Sequence, residues 1–230
     1  MGSERDNVGD MSDQRHEVER PSSPFELRHA STEHPLIVVV PERRLLVIGG
    51  AGYPRAADFR RATTILRTVD DLLRARLRRD RFADSPRAIV EIAWQIEPGW
   101  STDDIVAAFT EPTVWHWRQM LELSPVSTDA AAAEAIDEAR RQGGRDVPLV
   151  RLIQFAEGRA AQLLHFGSRL DEPRSVGKLY RFVADSGLRP RGDLHQLVLA
   201  DPDVVPRERA RSIFRIPIET EQPDRPPERG

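Results

Sequence analysis

The chain has 230 residues and balances 37 acids against 34 lysines and arginines, a formal net charge of −3. No strong field of one sign therefore draws it to nucleic acid or to anionic lipid. It contains no cysteine, which excludes a disulfide framework, a thiolate metal site and a cysteine nucleophile, and fits a reducing compartment. No stretch approaches the run of about 20 apolar residues that a membrane-spanning helix needs. Met1 to Pro24 is polar, lacks the apolar core of a secretory signal and reads as a disordered leader. Gln222 to Gly230, rich in proline and arginine, reads as a disordered tail. The expectation is a cytoplasmic protein with a leader over 1–34, one domain over 35–220 and a tail over 221–230.

The folded part opens with Leu36 to Val40, an apolar strand closed by Pro41. Pro41 to Arg44 reads as a turn, and Leu45 to Ile48 as a second strand running into Gly49-Gly50-Ala51-Gly52. Phe59, Ala62, Leu66, Val69 and Leu73 then recur on one helical face, with Asp58 as the expected N-cap. Ala88 to Gln95 alternates as a strand, placing Val90, Ile92 and Trp94 on one face and Ile89, Glu91 and Ala93 on the other. Thr102 to Phe109 is a short helix capped by Ser101 or Thr102. Trp115 to Leu123 is a strand with Trp115, Trp117, Gln119 and Leu121 on one side.

Thr128 to Gln142 is an alanine-rich helix that stops at Gly143-Gly144. The pattern then restarts. Val150 to Phe155 is a strand, Ala156 to Arg159 a turn, and Ala160 to Phe166 a strand ending at Gly167. A helix follows, with Asp171 as cap and Val176, Leu179, Tyr180 and Val183 as its apolar stripe. Leu194 to Ala200 and Ile213 to Ile218 close the fold. Both halves, about 35–125 and 149–219, run strand, tight turn, strand ending in glycine, helix, two strands. The predicted fold class is α+β: duplicated βαββ halves, each opening with a hairpin, form an antiparallel sheet with helices on one face and a central groove.

Several short runs, in this order, are similar to the GyrI-like small-molecule binding domains. They are Val150-Arg151-Leu152, Phe155-Ala156-Glu157-Gly158, Gln162 to Gly167, Asp171-Glu172-Pro173, Leu188 to Gly192, Leu199 to Pro202 and Ile213 to Pro217. Trp115-His116-Trp117 and Pro125 match the middle of the longer, stand-alone members. The resemblance implies a central hydrophobic cleft that takes amphiphilic, often cationic compounds. It also implies, in some stand-alone members, hydrolysis of the cyclopropane ring of DNA-alkylating natural products. Two departures stand out. Relatives usually carry a glutamate where this chain has Gln196, and often read Gly-Pro-Tyr where it has Gly167-Ser168-Arg169. A neutral amide neither acts as a general base nor neutralises a cation. An arginine replaces the tyrosine face with a group that stacks or binds anions.

All four tryptophans, Trp94, Trp100, Trp115 and Trp117, lie in one short segment. Trp94, Trp115 and Trp117 can share a face across neighbouring strands, as a wall for a planar ligand or as core packing. With them, His165, Arg169, Tyr180 and Gln196 are the expected ligand-binding residues. His165 also reads as a satisfied core histidine, and Gln196 as a polar strand residue facing water. Glu91 is the candidate catalytic residue: facing a groove, desolvation would raise its pKa and suit it to activate water. The alternative for Glu91 is a solvated carboxylate on the open face of the sheet.

His116 and His195 lack partners at metal-ligand spacing, so no metal and no cofactor are expected. Gly49 to Gly52 lacks the ending of a phosphate-binding loop, and no serine-hydrolase elbow is present. The arginines of 74–79 read as a solvated helix end, with no nucleic-acid or membrane partner. The expected partner is an amphiphilic or aromatic small molecule, bound by a monomer or weak dimer. A protein-interaction role through the acidic leader or a sheet edge is the remaining alternative.

Overall fold

The computed structural model describes residues 33–54, 56–79, 87–110, 115–143 and 150–219. Residues 1–32, 55, 80–86, 111–114, 144–149 and 220–230, which take in most of the expected leader and the tail, lie outside the described residues. Eight strands form one antiparallel sheet: β1 (Leu36–Val40), β2 (Arg43–Gly52), β3 (Val90–Trp94), β4 (Trp115–Glu122), β5 (Arg151–Phe155), β6 (Gly158–Phe166), β7 (Leu194–Ala200) and β8 (Arg211–Pro217). Among the described residues four α-helices accompany it: α1 (Ala57–Arg79), α2 (Thr102–Thr110), α3 (Asp129–Gly143) and α4 (Glu172–Asp185). The α+β fold expected from the sequence is the fold observed.

The strand order, β1-β6-β8-β7-β3-β4-β2-β5, has a pseudo-two-fold between β7 and β3 that exchanges the two halves. It also corrects the expectation of hairpins. β1 pairs with β6 and β2 with β5, so each half lends its first strand to the other. The reason is in the links. Pro41-Glu42 and Ala156-Glu157 lack the glycine or asparagine that a two-residue hairpin turn needs at positive φ, so the chain crosses over instead of folding back. Arg43 and Arg44, expected in a turn, are the first residues of β2.

These short links also bend the sheet. β1 and β2 stand six strand spacings apart, about 29 Å on a flat sheet, yet three residues of chain reach only about 11 Å. The same holds for β5 and β6. The sheet must curl into a half-barrel. Arg43 on β2 and Arg215 on β8 meet on one carboxylate, Glu157, so the face that carries them is the concave one. The helices pack on the other face: α1 against β2 and β4, α4 against β6 and β8. α3 packs on α1, and α2 on α4.

The predicted stripe of α1 is buried as read, from Phe59 through Leu73. Ser101 caps α2 with a reciprocal pair, its hydroxyl accepting from the Asp104 N–H while Asp104 accepts from the Ser101 N–H. The Thr128 hydroxyl caps α3 by accepting from Ala131 N–H. No helix among the described residues is long and apolar enough to cross a membrane.

Candidate functional site: an aromatic cluster over the central strands

Strand register brings the tryptophans together. Gly50, Trp117, Trp94 and Leu194 form one cross-strand row on the helix face, since Trp94 pairs with both Trp117 and Leu194. Gly50 is required there: a Cβ would fall 2.5 Å from the Trp117 ring that lies across it. Phe59 of α1 stacks on Trp94 with ring centroids 5.7 Å apart, and Trp115 meets Trp94 edge to face at 5.5 Å. Phe109 of α2 enters this row from above. It touches Trp94, Trp115 and Phe214, rings carried by three strands, in edge-to-face contacts. Trp94, Trp115 and Trp117 are all buried in the main core, while Phe109 and Trp100 stay partly exposed.

The row below is polar. The Gln196 side chain accepts from the Trp94 indole N–H at 3.0 Å and donates to the Glu172 carboxylate at 2.8 Å. Gln196 is fully buried on the helix face, not turned to water. Glu172, the first residue of α4, is a buried carboxylate that sequence reasoning passed over; its place in the Asp171-Glu172-Pro173 run was the available signal. Four buried donors have no hydrogen-bond partner among the described residues, and two of them, the Trp117 indole N–H and the Tyr180 hydroxyl, belong to members of the main core; the others are Arg43 Nε and Ser127 Oγ. Burial, and then the Asp193 carboxylate, push the Tyr180 phenol far up, so it stays protonated.

Glu91 is elsewhere, on the concave face. Arg43 forks onto it at 2.7 and 3.2 Å, Arg215 reaches it at 3.1 Å, and the His195 Nδ1–H donates to it at 2.5 Å. Burial would push this carboxyl up, but the two guanidinium charges and the histidine outweigh it and hold it well below the ordinary carboxylate range. The expected upward shift is thus reversed, and such a carboxylate is a weak base. Glu91, Glu157 and His195 each offer an atom within 4.8 Å of the others, a spacing that suits a cation. Arg43 and Arg215 supply the positive charge at that point. His195 and both arginines were missed as a network because their strands are distant in sequence.

The remaining candidates fall in the second half. His165 is buried, with Nδ1 2.8 Å from the Ser175 hydroxyl and Nε2 3.3 Å from the Ser168 carbonyl, and its ring packs on Phe214. A carbonyl only accepts, so Nε2 carries the hydrogen and Nδ1 receives the serine hydroxyl. Burial lowers the His165 pKa. Arg169 pairs with Asp203 at 3.1 Å and with Asp201 at 3.5 Å, and no contact joins it to the tryptophan row among the described residues.

No family model matches the chain, and no curated protein matches it. Solved structures do. A conserved uncharacterized protein of Listeria innocua is 25% identical, with a TM-score of 0.70 over 84% of this chain and 96% of that one. A hydrolase of Listeria innocua is 22% identical, with a TM-score of 0.69 over 88% of this chain and 100% of that one. The C-terminal domain of EcmrR shares 8% identity, with a TM-score of 0.51 over 81% of this chain and 98% of that one. These likenesses are to the fold: a curled antiparallel half-barrel sheet with helices on one face.

Proposed function

We propose that this protein binds a flat, amphiphilic aromatic molecule in the cleft over β3 and β7, with Trp94, Trp115 and Trp117 as its wall. The observation that carries this reading is that two donors of the main core that holds the aromatic rings, Trp117 Nε1 and Tyr180 Oη, are buried without partners. Buried donors without partners cost about 1–3 kcal/mol each, and a ligand acceptor would recover that. Phe109 occupies the position of an aromatic guest: it comes from a short helix, is partly exposed, and touches rings from three strands. Ligand entry displaces it. Glu172, reached through Gln196, gives the cleft one acidic end and favours a cationic amphiphile.

Titration with 9-aminoacridine, a cation at neutral pH, and with neutral 9-methylacridine tests this. Saturable quenching of tryptophan emission is expected from both, tighter for the cation. Phe109→Ala should strengthen both, because the guest position is already open. Tyr180→Phe should weaken a ligand that carries an acceptor and spare one that does not. Linear, unsaturable quenching by both compounds would leave the tryptophans as core alone.

A hydrolytic reading would rest on Glu172, the carboxylate beside the tryptophans, instead of Glu91. Incubation with a cyclopropane-containing indole alkylator, followed by mass analysis, separates the two: a water adduct lost in Glu172→Gln means catalysis, unchanged compound means binding.

A further inference from the structure

The second half carries a cavity of about 840 Å³ on the flank of α4 that faces away from the cleft. Its helical wall presents Arg174, Lys178 and Arg181, spaced i, i+4 and i+7 on one face, and Arg207 enters from the segment before β8. Its inner end is the His165–Ser175 pair. Three acids also line it, and they do not cancel these charges. Asp171 accepts from the Ser168 N–H, from the Ser168 hydroxyl and from Arg207. Glu33 and Glu208 lie beyond ion-pair distance of every lining cation, although Lys178 donates to the Glu33 carbonyl at 2.6 Å. Arg174 and Arg181 make no ion pair among the described residues.

Two arginines without ion pairs among the described residues, on positions about 10 Å apart along the helix with a lysine between them, concentrate positive charge that an anion lying across them would answer. Arginine forks match carboxylate and phosphate oxygens in pairs. The cavity is within the roughly 300–1,000 Å³ of small-molecule sites, much larger than one inorganic ion fills. We propose that this cavity binds a small organic anion bearing two anionic groups, carboxylate or phosphate, held by Arg174 and Arg181 at its ends and Lys178 between them. The site is separate from the aromatic cleft. The inner face of α4, with Val176, Leu179 and Tyr180, packs into the core, whereas Arg174, Lys178 and Arg181 look outward.

Calorimetric titration at fixed ionic strength with fructose 1,6-bisphosphate, glucose 6-phosphate and citrate tests the proposal and separates phosphate from carboxylate recognition. Saturable 1:1 binding of the bisphosphate or of citrate is expected, at least tenfold tighter than that of the monophosphate. The double variant Arg174→Gln/Arg181→Gln should weaken it tenfold or more. Arg169→Gln, whose residue is ion-paired outside the cavity, should leave it within twofold. All four arginine and lysine side chains are solvent-facing, so melting curves are expected to stay put; should the double variant fail to fold, Lys178→Gln alone must still weaken binding severalfold. Absence of saturable binding by both the bisphosphate and citrate, or binding indifferent to these variants, overturns the proposal.

Discussion

Arg43 and Glu157, one leaving each of the two crossing links, meet at 3.1 Å inside the curl of the sheet. Glu157 has no solvent exposure and also accepts from Arg215 at 2.6 and 2.8 Å. Arg43 in turn forks onto Glu91 of the central strand. The links force the sheet edges together, and this network of two arginines, two glutamates and His195 answers the charges that the closure buries. Two guanidinium groups balance two carboxylates, so these four charges cancel in the interior.

Removing one member leaves a buried charge unanswered. Glu157→Gln should therefore destabilise the fold by about 3–5 kcal/mol, read as a lowered midpoint in urea denaturation with an unchanged slope. Glu91 adds an acid limb. Its folded pKa is below its unfolded one, so its contribution is fully present above the unfolded value and is lost as pH falls through the folded one. Stability plotted against pH should decline below about 4.5, and Glu91→Gln should flatten that limb.

Gly50→Ala introduces a methyl 2.5 Å from the Trp117 ring, against a rigid group that cannot swing clear. A cost of about 1–3 kcal/mol is expected, together with a shifted tryptophan emission spectrum. An unchanged melting temperature would mean that Trp117 has room to move, and that the row is looser than its register implies.

Gln196→Glu has a different consequence here from the simple restoration of charge. Its side chain would face Glu172 at the 2.8 Å now spanned by a hydrogen bond, so the two carboxyls would share a proton and one pKa would rise. A raised folded pKa means stability present at acid pH and lost as pH climbs through the folded value. The variant should match the parent near pH 4 and be less stable at pH 7, and 9-aminoacridine should restore more of the loss than 9-methylacridine. Equal melting temperatures at pH 7 would place the two side chains apart.

His165 sets a third pH window. Burial depresses its pKa from 6.5, so the unfolded chain binds the proton first and stability is lost as pH falls below that value. A fall in melting temperature between about pH 6.5 and 5 is expected, absent in His165→Asn, whose side-chain amide N–H can still donate to the Ser168 carbonyl.

Much of this fold was legible in the sequence because it is local. Alternation on Val90 to Trp94, the stripe of Phe59 to Leu73 and the repeated order of elements each reflect a periodicity of two or 3.6 residues. The repeat even foretold the pseudo-two-fold. Three things were not local. The exchange of β1 and β5 between halves depends on which distant edge a strand meets, and a two-residue gap fits a hairpin equally well until the turn chemistry of Pro41-Glu42 is weighed. The face of Glu91 was readable, but its pKa depends on Arg43 and Arg215, 48 and 124 residues away in the chain. Gln196 and Glu172, 24 residues apart, became partners only when α4 packed on β8 beside β7. The sequence by itself determined the elements, their faces and the aromatic wealth of the first half. The tertiary structure alone decided which charges meet, because burial and distance set electrostatics and neither is written in spacing along a chain.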